Sequence, residues 1–538
     1  MKKNCWSKNL LFSKEGFICF SLIILFACGT NSKKENTKPS VALVALDSGE
    51  VLAKMYCGSC HLYPSPDLLD KKTWKDHVLP NMGYRFGIYL DRTRDTLIEK
   101  GLGGRIVNEA TVFPTTQLIS NSHWEKIKQF YIDEASDTLE VVSESEIKKT
   151  LSFFKPFVPD FKIANPAVTA ITYELDSRLF YVADCSLEDH STITILNSTF
   201  KPVTSLGLPY PVSNLTVKSD TLYILMMGHL IPSDEPAGKL VKALKDQNGQ
   251  YTGYTLVLKD LKRPVDVAYA DIDSDGDDDI IVCEYGNHTG SVSLFVKHGK
   301  KEYRKQILNK VSGSIKVVVQ DLNKDSYQDI IVLMAQGDEG IDVFYNNGNG
   351  QFKKERILRF PAVYGSVSFL LTDMNQDGYQ DIVYVNGDNG DVSRVLKPYH
   401  GIRIFLNDRH NQFIESYFFP LHGAYKAIAD DYDQDGDLDI AAISFFPDFM
   451  NHPEQGFVFL EKISTKGTLN FEASTFPESK KGRWITMTEA DIDRDGDKDL
   501  VLGSFTSMDI PDDSTDVIKM KYASESNPML ILRNTTIQ

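Results

Sequence analysis

Cysteine is scarce in this chain, with seven among 538 residues. That excludes a disulfide-built scaffold. Tryptophan is scarcer, at four. Glycine (35) and proline (22) are unremarkable, which excludes collagen-like and proline-rich arrays. No basic stripe is present and the net charge is −16, so no nucleic-acid partner is expected. Long apolar runs are missing too. Residues 17–27 are apolar but too short for a comfortable membrane span. The balance of 42% hydrophobic and 25% charged residues excludes global disorder and a polytopic membrane protein. The length predicts two to four domains.

What is present begins with a targeting segment. Lys2, Lys3, Lys8 and Lys14 precede the apolar run, which is the form of a secretory signal. The run ends Leu25-Phe26-Ala27-Cys28-Gly29. This resembles the lipobox of bacterial lipoproteins. The resemblance implies a signal peptide over 1–27, acylation of Cys28 and a polar tether over 28–44. It implies a cell-envelope protein held on the outer membrane by lipid, facing the periplasm or the exterior. Cys5 and Cys19 leave with the signal. Cys185 and Cys283 are expected to be separate buried thiols.

Residues 57–61 read Cys-Gly-Ser-Cys-His. Two thiols at this spacing reach the two vinyl groups of one haem, and the adjacent His ligates iron. No second Cys pair completes a zinc site. Cys57, Cys60 and His61 are therefore expected to hold one covalent haem c. Residues 47–56 are expected to form an amphipathic helix leading into the motif. Ser122 to Glu125 has capping-box spacing for a last helix carrying Ile127, Phe130 and Tyr131. Residues 45–140 thus resemble a small all-α cytochrome c domain. Met82, in a Pro-flanked loop, is the favoured distal ligand, with His77, a later residue or an open site as the alternatives. A Met ligand implies a higher potential than a His pair.

The remainder, residues 150–538, is a repeat array. A nine-residue Asp-rich pattern recurs five times, with first-Asp spacings of 50, 52, 58 and 60. Its oxygen-bearing positions are Asp271, Asp273, Asp275, Asp277 and Asp279 in the first loop, then Asp321, Asn323, Asp325, Tyr327 and Asp329. They continue with Asp373, Asn375, Asp377, Tyr379 and Asp381, then Asp431, Asp433, Asp435, Asp437 and Asp439. Asp491, Asp493, Asp495, Asp497 and Asp499 complete the set. Calcium takes about 6–8 oxygens at roughly 2.3–2.6 Å. Positions one, three and five can converge on it, position seven offers a backbone carbonyl, and position nine closes the site. Gly at position six permits the turn, and Ser326 replaces it in the second loop. EF-hands need a Glu at position twelve, but here stand Val282, Val332, Tyr384, Ala442 and Leu502. About five Ca²⁺ ions are expected.

Each loop is followed by an apolar strand, and four strands fit each period of about fifty residues. The array resembles the FG-GAP/VCBS repeat family, the calcium-loop propellers also found in integrin α-subunit heads. Two earlier segments, 167–206 and 214–258, read as blades without the loop. The expected fold is an all-β seven-bladed propeller, with residues 151–157 supplying the last blade's fourth strand.

These features predict an electron-transfer lipoprotein that docks a redox partner protein or envelope electron carrier, with no catalytic residues of its own. An oxidoreductase using the propeller face is the alternative. Quinoprotein propellers carry recurrent Trp motifs, and this propeller has only Trp484. An adhesive or glycan-binding propeller is a further alternative. For a ligand on the propeller, Arg263, His422 and Arg483 are candidates, because they start inner strands and can face an anion.

Overall fold

The computed structural model describes residues 47–140, 146–185, 190–247, 251–299, 302–390, 395–463, 467–510 and 515–537. The expected signal, Cys28 and the tether lie outside these residues.

Residues 47–140 are helical. Ser48 caps the first helix, Gly49–Cys57, its Oγ accepting from Val51 N at 3.3 Å. The last helix, Asn121–Glu134, starts earlier than the capping-box spacing suggests. Ser120 is its cap, with Oγ accepting from His123 N at 3.1 Å, and Ser122 lies inside the helix. Trp124, Ile127 and Tyr131 form its buried stripe. The two helices cross at Gly49, where a Cβ would lie 2.3 Å from Lys126 O. Shorter helices, Leu79–Arg85 and Leu102–Glu109, complete the layer. Met82 lies on the first of these, not in the loop expected for it; Pro80 sits in the first turn, where its missing N–H costs nothing.

The rest is a seven-bladed β-propeller. Blade three shows the plan: Pro264–Ala270, Asp279–Glu284, Ser291–His298 and Glu302–Asn309 pair antiparallel in sequence order. The second strands of blades three to seven, such as Asp279–Glu284 and Asp439–Ser444, are buried at every residue. Each is sandwiched between neighbouring blades, which explains its continuous apolar run. Every innermost strand has a bulge after its first residue. Cys185 and Cys283 are buried and not joined by a disulfide, as expected.

Closure comes from Phe154–Phe157, which pairs antiparallel with Met529–Asn534 in blade seven, with Phe154 opposite Asn534. This is the strand expected from residues 151–157. Blade six also gains a fifth strand that the sequence did not suggest: Ile147–Lys148 runs parallel to Phe471–Ser474. Among the described residues no helix is long and apolar enough to cross a membrane.

Phe154 packs against Tyr432 and Phe459 at ring distances of 5.5 and 5.4 Å. Phe154→Ala should therefore cost about 3–5 kcal/mol of stability. Chemical denaturation of the full chain should show this as a lower midpoint with an unchanged slope.

Candidate functional site

Three places hold the residues singled out by the sequence: the Cys-x-x-Cys-His turn, the Asp loops and the opposite end of the propeller.

At the turn, Cys57 is half-buried, Cys60 is exposed, and no disulfide joins them. Burial pushes the Cys57 thiol up to about 11. His61 Nδ1 donates to Leu62 O at 2.9 Å. A carbonyl only accepts, so the proton sits on Nδ1 and the Nε2 lone pair is available to a metal. Met82 packs in the same apolar cluster as Tyr56, Cys57 and Phe86. His77 is exposed in a π-helical turn, Trp74–Val78, outside that cluster. The donor set Cys57, Cys60, His61 and Met82 matches a c-type haem in its chemistry: two thiols, one imidazole with an available Nε2, and a thioether from the same apolar cluster as Cys57.

The Asp loops join first to second strands. In loops one, four and five, ligand oxygens of positions one, three and five lie within 4.8 Å of one another. Backbone amides draw each loop into its curl. Asp271 Oδ2 accepts from Gly276 N at 3.0 Å and Asp373 Oδ2 from Gly378 N at 2.7 Å. Position nine does more than close a site. Asp499 Oδ2 accepts from Ile492 N at 2.9 Å and its Oδ1 from Asn534 N at 2.8 Å. Asp279, Asp329 and Asp381 bond in the same way. These carboxylates tie the loop to the third strand. Burial, then repulsion from the other loop carboxylates, raises Asp439 to about 8 and Asp499 to about 7.

Four buried carboxylate oxygens have no hydrogen-bond partner: Asp431 Oδ1, Asp437 Oδ1, Asp439 Oδ2 and Asp497 Oδ1. Buried acceptors without donors are costly. A hard divalent cation supplies what they lack, so the residues fit calcium. Position seven thus brings side-chain oxygen in loops four and five, beyond the carbonyl expected there.

Position four is a second left-handed residue in every loop, with φ between 59° and 68° at Ser274, Lys324, Gln376, Gln434 and Arg494. Sequence reasoning missed it because none of these is Gly.

At the opposite end, Arg263 and Arg483 hold loops. Arg263 Nη2 donates to Leu230 O at 3.1 Å. Arg483 is buried, donates to Phe445 O at 3.1 Å and Met508 O at 2.6 Å, and lies 3.9 Å over the Phe445 ring. Phe445, Phe446 and Phe505 cluster there with Leu230 and Tyr425. His422 is half-buried, and its carbonyl accepts from Ser444 Oγ at 2.5 Å. The geometry gives both arginines backbone carbonyls as partners.

The helical layer docks on this same end. Glu99 accepts from Ser233 Oγ and Asp234 N, each at 2.8 Å. Arg85 Nη2 donates to His288 Nδ1 at 3.0 Å. Burial, then the Arg85 charge, lowers His288 to about 4, so the ring is neutral and accepts. Tyr399 Oη donates to Leu68 O at 3.0 Å, and Val363 packs on the helical core. Helices and propeller form one compact unit, Leu46–Gln538.

A family model described as an FG-GAP-like repeat matches residues 271–332, 321–384 and 373–442. These segments, loops one to four with their strands, are FG-GAP repeats. Human integrin alpha-6 is 29% identical over 171 residues, covering 29% of this chain. The match spans 15% of that integrin's length. Among solved structures, Saccharomyces cerevisiae Sqt1 is similar at 10% identity and a TM-score of 0.42, covering 72% of this chain and 99% of that one. The periplasmic gluconolactonase of Pseudomonas aeruginosa is similar at 11% identity and a TM-score of 0.38, covering 57% and 85%.

Ser326 carries φ +77° where other loops have Gly. A non-Gly residue there costs about 1–2 kcal/mol, partly offset by the greater freedom of Gly in the unfolded chain. Ser326→Gly should stabilise the protein by about 0.5–1 kcal/mol, read as a small rise in Tm.

Proposed function

We propose that this protein is a lipid-anchored electron carrier of the cell envelope, with one covalent haem c beside a calcium-stabilised propeller that serves as a docking platform. The observation that carries it is the company of Met82. It packs with Cys57 in one apolar cluster, while His77 is exposed outside it. Cys57 and Cys60 would attach the haem, His61 would ligate through Nε2, and Met82 would be the distal ligand. When bound, the haem supplies a one-electron couple, raised by a Met ligand relative to a His pair. The residues' own work is to fix the tautomer at His61 and keep water from the Met82 side.

The same reading assigns residues 1–27 to a signal peptide, Cys28 to lipid attachment, residues 45–140 to the haem domain and residues 150–538 to the propeller. The FG-GAP repeats also support adhesion as a second reading, since the human integrin alpha-6 segment is similar to them.

Replacing Cys57 and Cys60 together with Ser should abolish the covalent haem mass and the Soret band. Covalent haem surviving in that variant would refute the assignment. Met82→Ala should remove the far-red charge-transfer band of thioether-ligated ferric haem and lower the potential, whereas His77→Ala should change little.

Calcium makes a separate prediction. A ligand that binds only the native state stabilises by RT ln(1 + [L]/Kd), about 2.7 kcal/mol per site at a hundredfold excess. Chelator should lower the Tm by several degrees, and Asp491→Ala should remove one calcium by elemental analysis. An unchanged melt with no bound calcium defeats this part of the reading.

A further inference from the structure

We infer that the loop end of the propeller carries a carbohydrate-binding pocket between blades two and three, a site independent of the haem and of the docked helices. It lies beside the first Asp loop, on the side of a blade that has no Asp loop of its own. Two later loops are bridged by side chains at position four: Lys324 Nζ donates to Gly378 O at 3.0 Å and Gln376 Nε2 to Gly436 O at 2.5 Å. Blade two has no such loop. Its strands Val212–Lys218 and Thr221–Met226 are joined by two residues, Ser219 and Asp220. Lys218 of blade two reaches Asp278 in the first Asp loop, and a cavity of about 320 Å³ lies beside Gly276.

Three tyrosines from three strands line the cavity: Tyr223 on blade two, and Tyr269 and Tyr303 on the first and fourth strands of blade three. The Tyr223 and Tyr269 rings lie 5.1 Å apart. Tyr269 Oη is fully buried, and no described residue hydrogen-bonds to it. Protein interiors rarely leave a buried hydroxyl unpaired, so this one lacks a partner that a ligand would provide.

The charges around the cavity are balanced. Lys297 pairs with Asp277 at 2.6 Å, and Lys218 pairs with Asp278 while lying 4.9 Å over the Tyr269 ring. A free anion would have to displace Asp277 and Asp278 from the two lysines. An apolar ligand would dry the ion pairs and hydroxyls without giving them partners. A neutral sugar ring meets both demands. Its C–H face suits tyrosine rings, and its hydroxyls both donate and accept among phenols, ammonium groups and carboxylates. The volume lies at the lower end of ligand pockets, roughly 300–1,000 Å³, which suits the end of a glycan.

The test uses the purified full-length protein with calcium present. Neutral trisaccharides of glucose, xylose, mannose and galactose are titrated by calorimetry and saturation-transfer NMR, with trigalacturonate beside them. At least one neutral trisaccharide should bind. Tyr303→Ala should weaken it by about tenfold or more through loss of a stacking ring. Tyr269→Phe keeps the ring and the packing, and should weaken it about threefold or more by removing the hydroxyl. If Tyr303→Ala does not fold, Tyr269→Phe decides alone. Binding of trigalacturonate only, binding of none of the four neutral sugars, or neutral binding undiminished in the folded variants overturns the inference.

Discussion

Closure of the ring is the constraint on which this molecule depends. The propeller has no single core. Its interior is seven separate apolar clusters, one at each interface between adjacent blades. A blade such as Asp329–Met334 with its partners is apolar on both faces and cannot be stable with one face in water. The seventh interface, between blades seven and one, exists only if the chain's two ends are held together. Phe154–Phe157 does this by pairing with Met529–Asn534, and the pairing also removes an exposed edge. Everything placed at the ends of the blades inherits its position from that closure.

The Asp loops add a second set of links at the same interfaces. Asn346 Nδ2 donates to Ile272 O of the preceding blade at 2.8 Å, and Asn534 Nδ2 donates to Tyr432 O at 2.7 Å. Asn411 and Lys462 make the equivalent bonds to Leu322 O and Met374 O. Each acceptor is the second residue of a loop, whose side chain is buried below. Loop conformation and blade packing are therefore one structural problem. Anything that settles the curl of a loop, including a cation among its carboxylates, also settles an interblade contact.

Much of this was legible in the sequence, and the reason is periodicity. Five recurrences of one nine-residue pattern set the register, so strands in blades one and two could be found by spacing although those blades lack the pattern. The fourth strand of blade seven was legible because Met529–Asn534 would otherwise have an open edge. What escaped depended on tertiary context. Ser120 rather than Ser122 caps the last helix of the helical layer, since both fit a capping rule and only packing of Trp124 and Ile127 chooses between them. The left-handed fourth position of each loop is occupied by Ser, Lys, Gln, Gln and Arg, which carry no conformational signature. At the candidate site, the Cys-x-x-Cys-His motif and the Asp positions were legible from residue type alone. The roles of Arg263 and Arg483 were not, because spacing indicates which end of a strand a side chain occupies and not which carbonyl it meets.

Those two arginines also bear on how the two ends of the propeller differ. The loops hold one end of the ring. Strands within a blade are antiparallel, so the connections carrying Asp234, His288 and Tyr399 must emerge at the other end, where the helical layer docks. At that end Phe445, Phe446 and Phe505 pack together, Arg483 is buried against them, and Arg263 donates to Leu230 O. A guanidinium that already bridges backbone carbonyls in an apolar cluster cannot bind an anionic substrate without dismantling that cluster. Cys60 and the exposed Met55 and Leu62 beside it face solvent, so access to the Cys-x-x-Cys-His turn does not require the propeller mouth.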